Sequence, residues 1–331
     1  MRNASLINKK IKPIIENCLE KCPCKIEIRY NEPLKEHTTF KVGGPADCWI
    51  QGGQENFPSF CALLLKCAVK EKVPVFILGA GANIAVSDRG IRGIVLDMCA
   101  WKLPQNFAKN SSNNEEELVL RSGTLIDEAC EAALSAGLSG LEFLAGMPGT
   151  IGGVVWMNAR CYGAEISDVL SWTEIITNNE SEVNNFIFKK VITNDVNGFG
   201  YKQSPFQKMN CLILSAAFNL KKGDKTEIAY KMEKNRQDRK KKGHYLFPCA
   251  GSVFKNNHDF GKPSGVIIDE LGLKGLKRGG AQIALFHGNI IINTGDAKAE
   301  DIRYLTDEVA LKVKEKTGFS LEPEILFVGD W

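Results

Sequence analysis

VPVFILGAGANIAVSDRGIRGIVLDM, residues 73–98, is the stretch on which the fold class turns. The apolar run Val73–Leu78 reads as a buried strand. It breaks into Leu78-Gly79-Ala80-Gly81-Ala82-Asn83, where successive small residues leave backbone N–H groups free to cradle an anion such as a pyrophosphate. A second strand, Gly93–Met98, follows. Asp97 lies 18 residues after Gly79, near the place where a dinucleotide-binding βαβ unit carries its ribose-binding acid. That unit also needs a helix between its strands, with the pyrophosphate at the helix N-terminus. Asn83–Gly93 offers β-branched residues and two glycines instead, so no clean helix is expected. Gly-x-Gly on its own is equally compatible with a tight structural turn.

Further along, Pro148-Gly149-Thr150-Ile151-Gly152-Gly153 lies between LEFLAGM (141–147) and VVWMNA (154–159). Three glycines and a proline in six residues allow very close backbone approach to a flat ligand. Around the two loops, ELVLRSG (117–123), VLSWTEIIT (169–177) and CLILSAAFNL (211–220) read as further strands. One helix is expected among them, with Leu125, Ala129, Ala132, Ala133 and Ala136 on one face and Gly137 as its C-terminal cap. Two such loops in a strand-rich region suggest a long dinucleotide lying between two small sheets.

Outside this region, residues 6–20 form a short helix by pattern, broken by Pro23. KTEIAYKMEKNRQDRKKK (225–242) is a charged helical stretch, and a later helix carries Ile302, Leu305, Val309 and Val313 on one face. EILFVG (324–329) reads as a closing strand, and NSSNNEEE (110–117) as a solvated loop. With 331 residues, two or three domains are expected. A net charge of +3 is too mild to imply nucleic acid or a membrane surface as partner. No window approaches a membrane span, and MRNASLINKKIKPIIENCLE lacks a secretory signal, so a cytoplasmic protein is expected. The 11 cysteines are scattered through apolar stretches, as reduced thiols are. Cys18, Cys22 and Cys24 lack a second ligand pair or a nearby histidine, so no metal is expected.

Six segments occur together and in order: TTFKVGGPAD (38–47), LGAGANIAVSDRGIRGIVL (78–96), GLEFLAGMPGTIGGVVWMNA (140–159), GYKQSPF (200–206), AGSVFKNN (250–257) and LEPEILFVG (321–329). Together they resemble the UDP-N-acetylenolpyruvoylglucosamine reductases, over almost the whole chain from about residue 33. The resemblance implies an α+β fold: an FAD-binding domain of the vanillyl-alcohol-oxidase type made of two subdomains, then a C-terminal α+β substrate-binding domain. The expected boundaries are 1–38 for an N-terminal helix and lead-in, 39–222 for the FAD-binding domain and 223–319 for the substrate-binding domain. Residues 320–331 are expected to form a strand that returns to the FAD-binding lobe.

By resemblance, the cofactor is non-covalent FAD, held by Leu78, Gly79, Ala80, Gly81, Ala82, Asn83, Pro148, Gly149, Thr150, Gly152, Gly153 and Asn158. The implied hydride donor is NADPH and the substrate UDP-N-acetylglucosamine enolpyruvate, in a monomer of the family's shorter subtype. Ser252 matches the family's proton donor and Glu324 its catalytic acid, with Lys202 at the position of a catalytic cation. Tyr201, Arg239, Lys242 and Asn256 are expected at the substrate, the two cations for its diphosphate. Each of these residues also has an ordinary structural reading, as turn, strand end or solvated helix face.

Three departures from the family stand out. Lys202 lies where the family usually has Arg, and Arg160-Cys161-Tyr162 replaces a more usual Gly-Ala-Tyr. Gly243-His244 also replaces a usual Gln-Pro after Lys242. A related flavoprotein oxidase or a non-catalytic nucleotide-sugar binder would fit the same fold. By resemblance, Ser252, Glu324 and the Glu322-Pro323-Glu324 strand belong to the enolpyruvyl subgroup, which argues against the oxidase. Neither Ser252 nor Glu324 is needed merely to hold a UDP-sugar, which argues against the binder.

Overall fold

A computed structural model describes residues 7–102, 106–109, 115–178 and 186–331. In chain order its elements are α1 (Lys12–Lys21), β1 (Ile26–Pro33), β2 (Pro45–Gly52), α2 (Phe57–Lys70), β3 (Val75–Leu78), β4 (Ile84–Val86), β5 (Ile91–Asp97), β6 (Asn106–Lys109) and β7 (Glu115–Arg121). Then come α3 (Ile126–Ala136), β8 (Leu138–Ser139), α4 (Ile151–Met157), β9 (Arg160–Cys161), β10 (Ala164–Glu165), β11 (Leu170–Asn178), β12 (Phe186–Ile192) and β13 (Cys211–Lys222). The remainder is α5 (Lys225–Lys241), α6 (Ser264–Glu270), β14 (Lys277–Arg278), β15 (Ala281–Ile283), β16 (Ile291–Asn293), α7 (Ala299–Thr317) and β17 (Leu326–Val328). None of the described helices is long and apolar enough to cross a membrane.

The described chain divides into two compact units, 1–30, 47–80 and 93–236 against 31–46, 81–92 and 237–331. The first contains two sheets and two cores. A four-stranded sheet, ordered β1-β2-β5-β3, has β3 parallel to β5 with Leu78 opposite Asp97. Helices α1 and α2 cover it, burying Ile14, Ile15, Phe60, Cys61 and Leu64 against Ile50, Ile94 and Leu96. The second sheet is antiparallel, ordered β12-β11-β13-β7-β6. Its core joins Leu118, Leu120, Ala216 and Phe218 to Ile126, Ala129, Ala133, Ile151 and Val155. Each fully buried aliphatic side chain here stabilises by about 1.5–3 kcal/mol, so both sheets depend on these helical faces.

The second unit holds the sheet β14-β15-β16, the parallel pair β17 and β4, and helices α6 and α7. Ile302, Leu305, Val309 and Val313 of α7 pack on Ile283, Ile291 and Ile325, as their spacing predicts. Residues 81–92 belong here because β4 pairs with β17, Ile84 to Val86 opposite Leu326 to Val328. The Asp88 carboxylate also accepts from Ala299 N and Glu300 N, both at 3.0 Å, satisfying free donors at the start of α7.

Several sequence expectations are revised. Between residues 39 and 220 there is more than the one expected helix, because α2 and α4 are also helical. In α2 the signal is present: Phe57, Phe60, Cys61, Leu64 and Ala68 follow helical spacing and are buried. Glu115–Glu117, expected in a loop, begin β7, where Asn219–Lys221 of β13 pair with them. Residues 110–114 of that expected loop lie outside the described residues. The closing strand is shorter than expected, because Glu324 N and Ile325 N donate to Val253 O instead of continuing it. Gly137 caps α3 at φ 69°, as its position predicts.

Candidate active site

In the first unit, β3 delivers Leu78-Gly79-Ala80 beside the Pro148–Gly153 loop. A Cβ on Gly79 would stand 2.5 Å from the Thr150 Oγ1, so no larger residue fits. Thr150 N-caps α4, its hydroxyl accepting from Gly153 N at 3.4 Å. The loop is tied down by Gly152 N to Ser122 O at 2.8 Å and Ile151 N to Thr124 O at 2.9 Å. A Cβ on Gly152 would lie 2.9 Å from the Ser122 Cβ. The Ser122 hydroxyl is buried with no hydrogen-bond partner among the described residues. The glycines at 79 and 152 are required by this close packing, of the first loop on Thr150 and of the second on Ser122. The unsatisfied buried Ser122 hydroxyl beside them fits a polar ligand such as FAD. Asp97 has a structural task instead, accepting from Trp49 Nε1 at 3.1 Å and Cys99 N at 2.8 Å.

Lys202 occupies the third position of the turn Gly200–Gln203, closed by Gly200 N to Gln203 O at 3.1 Å and Gln203 N to Gly200 O at 3.0 Å. Its φ is 57°, the left-handed region, which costs an L-residue about 1–2 kcal/mol. Such turns ordinarily place Gly or Asn there. Neighbouring amides hold the strain. Gln207 Nε2 donates to Lys202 O and to Trp156 O, both at 3.1 Å. Asn158 Nδ2 donates to Gly200 O at 2.9 Å. The Arg160 guanidinium lies 5.9 Å from the Tyr201 ring centroid and 3.9 Å from the Glu165 carboxylate.

The second unit carries Ser252 and Glu324. Ser252 forms an isolated antiparallel bridge with Ile290, and Phe254 forms one with Pro323. Val253 N donates to Asn289 O at 2.9 Å and Lys255 N to Glu322 O at 2.9 Å. Glu324 N donates to Val253 O at 2.7 Å. The segment Ser252–Lys255 is thus pinned on both sides, by residues 289–290 and by residues 322–324. Asn289, 3% exposed, acts as a strand partner through its side chain: Oδ1 accepts from Phe254 N and Nδ2 donates to Phe254 O, both at 2.8 Å. Asn83 Nδ2 donates to Glu324 O at 3.0 Å, joining the end of the first glycine loop to the Glu324 backbone.

The remaining expected substrate residues differ in character. Arg239 is buried, at 7% exposed, whereas Lys242 is exposed and pairs with Asp238 at 2.6 Å. Asn256 accepts from Ser264 N at 2.9 Å at the start of α6. The His244 and His287 rings lie 6.2 Å apart. Burial, with Arg239, His287 and Lys242 nearby, pushes His244 down to about 4. Burial and Lys242 also lower His287, whose Nδ1 accepts from Asn289 N at 3.1 Å. Burial pushes the Cys18, Cys48 and Cys130 thiols up to about 12, which disfavours the reactive thiolate at those three positions.

Leu78, Gly79, Ala80, Pro148, Gly149, Thr150, Gly152, Gly153, Tyr201 and Lys202 therefore lie in the first unit, and Gly81, Ala82, Asn83, Arg239, Lys242, Ser252, Asn256 and Glu324 in the second. Asn158, expected at the cofactor, is fully buried with its amide bonded to protein atoms. Gln207 and Asn289 were not anticipated. A side-chain amide that bonds backbone far away in sequence leaves no local pattern.

Two protein-family profiles match the chain: an FAD binding domain over residues 61–184, and the C-terminal domain of UDP-N-acetylenolpyruvoylglucosamine reductase over residues 241–328. A UDP-N-acetylenolpyruvoylglucosamine reductase of Treponema denticola is 42% identical, over 92% of this chain and 94% of its own length. The Borrelia garinii protein of the same name is 41% identical over 92% and 95%. Among solved structures, the Thermus caldophilus reductase is 31% identical with a TM-score of 0.69, covering 92% of this chain and 99% of its own.

Proposed function

Because the chain belongs to the UDP-N-acetylenolpyruvoylglucosamine reductase family, an FAD-binding oxidoreductase family, we propose that it reduces the enolpyruvyl ether of UDP-N-acetylglucosamine to UDP-N-acetylmuramate with NADPH. The product serves peptidoglycan synthesis, and through it cell shape and division. The enzyme acts as a cytoplasmic monomer with non-covalent FAD. The observation that carries this reading is the pinned stretch Ser252–Lys255 hydrogen-bonded to residues 322–324, because it gives the expected proton donor and acid a fixed common backbone.

When bound, FAD supplies the two-electron chemistry between nicotinamide and double bond. Leu78–Asn83 and Pro148–Gly153 hold it through backbone at the glycines. Adding a hydride to C3 of the enolpyruvyl group leaves charge at C2 conjugated with the carboxylate. That charge must be stabilised and C2 protonated on one face. Ser252 gives the proton to C2: a hydroxyl is a weak acid in water but sufficient beside an enolate. Glu324 serves as the catalytic acid and Lys202 stabilises the developing charge. Arg239 and Lys242 take the diphosphate, Tyr201 and Asn256 other parts of the substrate.

An absorbance spectrum of the purified protein tests the whole reading. A yellow protein, bleached by NADPH and recoloured without oxygen by UDP-N-acetylglucosamine enolpyruvate, is the expected result. Acid precipitation should leave FAD in the supernatant. Flavin in the pellet, FMN in its place, or reduced flavin indifferent to the substrate would overturn it.

A further inference from the structure

We propose that Asn158 is a positioning residue for Lys202, acting through the Gly200 carbonyl rather than by touching the cofactor; the inference rests on the reaction proposed above. Asn158 ends α4, the helix that grows out of the second glycine loop, and is 0% exposed. Its amide is committed to protein on every side. Nδ2 donates to Gly200 O at 2.9 Å and to Glu165 Oε1 at 3.2 Å, while Oδ1 accepts from Ser167 N at 2.9 Å. Both N–H bonds and one acceptor site are thereby in use, which matches the donor capacity of a primary amide.

The backbone of Asn158 is itself left-handed, at φ 43° and ψ 58°, so its side chain leaves the end of α4 at a fixed angle. The other members of the network hold the Asn158 amide in place. Glu165 Oε1 also accepts from Ser167 Oγ at 2.8 Å, which fixes the carboxylate that receives the Asn158 N–H. On the far side of the turn, Gln207 Nε2 holds Lys202 O. Gly200 and Lys202 are thus fastened by their carbonyls to either side of Tyr201, whose ring lies under Arg160.

This arrangement answers the strain at Lys202. An L-residue at φ 57° relaxes toward negative φ unless its neighbours prevent it, and that rotation would swing the Cα–Cβ bond and the whole ammonium stem. A lysine is more exposed to this than an arginine, because a compact ammonium on a flexible stem lacks the rigid fork that orients a guanidinium. Fixing the flanking carbonyls helps the fold aim the charge. Asn158 therefore connects the helix that follows the second glycine loop to the catalytic cation, within one compact unit.

Asn158→Gly is the informative substitution, since Gly keeps the left-handed backbone and removes only the amide. The variant should bind FAD with the parent's stoichiometry, and NADPH should reduce it within about twofold of the parent's rate. Anaerobic reoxidation by UDP-N-acetylglucosamine enolpyruvate should fall between ~10- and ~10²-fold, the scale of an ångström-sized misplacement. In a Lys202→Met background, Asn158→Gly should add less than about twofold, because a residue acting through Lys202 has nothing left to position. Lost FAD, or a full penalty in the Lys202→Met background, would overturn the inference. Should Asn158→Gly fail to fold, Gln207→Met makes the same test from the Lys202 carbonyl. A parent protein that does not react with the substrate removes the proposed reaction itself; a reactive parent with an unaffected Asn158→Gly removes only this inference.

Discussion

The Lys202 turn and the Ser252 stretch present their side chains from backbones fixed in different ways. Ser252 sits in a segment bridged on both sides, to residues 289–290 and to 322–324, so several main-chain hydrogen bonds share the restraint. Lys202 sits in a strained turn whose carbonyls are held by two side-chain amides, Asn158 and Gln207. Pairing to two flanking segments restrains Ser252, whereas the Lys202 turn, closed by its own Gly200–Gln203 main-chain pair, depends on Asn158 and Gln207 for its support from outside the turn. Substitution at Ser252 should therefore remove chemistry cleanly, whereas the region of Lys202 should respond to changes that never touch the substrate.

The largest effect expected is at Ser252. In Ser252→Ala, flavin reduction by NADPH should stay near the parent rate, and reoxidation by substrate should fall by the ~10²–10⁴-fold typical of losing a positioned acid. Equal slowing of both half-reactions, measured by stopped flow, would return Ser252 to a purely structural role and erase the contrast. Next comes Lys202. Lys202→Met should slow reoxidation by ~10²–10³-fold, the range for a lost charge-stabilising contact. Lys202→Arg should keep most activity, because a guanidinium preserves the positive charge at this position. If Lys202→Met reacts as fast as the parent, another cation carries the charge, with Arg160 the first to test.

The smallest effect separates the two regions by pH. Behind the Ser252 stretch lie His287, whose Nδ1 accepts from Asn289 N, and His244. The folded pKa of His244 lies below its unfolded value of 6.5, at about 4, so folding favours the neutral ring. Its contribution to stability is complete above pH 6.5 and is lost as pH falls toward 4. At ~1.4 kcal/mol per unit, discounted for partial exposure, the loss should be about 1–2 kcal/mol. The Lys202 turn is supported by the Asn158 and Gln207 amides and the Gly200–Gln203 main-chain pair, groups that do not titrate in this range. His244→Asn should flatten the acid limb of a Tm-against-pH curve; an unchanged limb would sink the assignment.

Much of this was legible in the chain. Gly137 at the end of an alanine-rich face foretold the C-terminus of α3, and the missing helix after Gly79 excluded a doubly wound dinucleotide fold. Both are local signals, set by periodicity and by the steric freedom of single residues. Where the sequence reading failed, as at α2, the period was present but embedded in an almost continuous apolar run. In β7 the charged residues Glu115–Glu117 were taken into the sheet by their partners on β13.

The sequence by itself determined the family and the two glycine loops, and it singled out Ser252, Glu324 and Lys202 as candidates, because order and spacing of motifs survive in one dimension. Only the tertiary structure decided that β4 pairs with β17, that Asp88 caps α7, that Lys202 stands at a positive φ, and that Asn158 and Asn289 bond backbone in distant segments. The physical reason is the same in each case. A strand, a helix or a turn is selected by residues that are neighbours in the chain, whereas a buried amide or carboxylate is selected by whichever unsatisfied N–H or C=O the fold happens to bring against it.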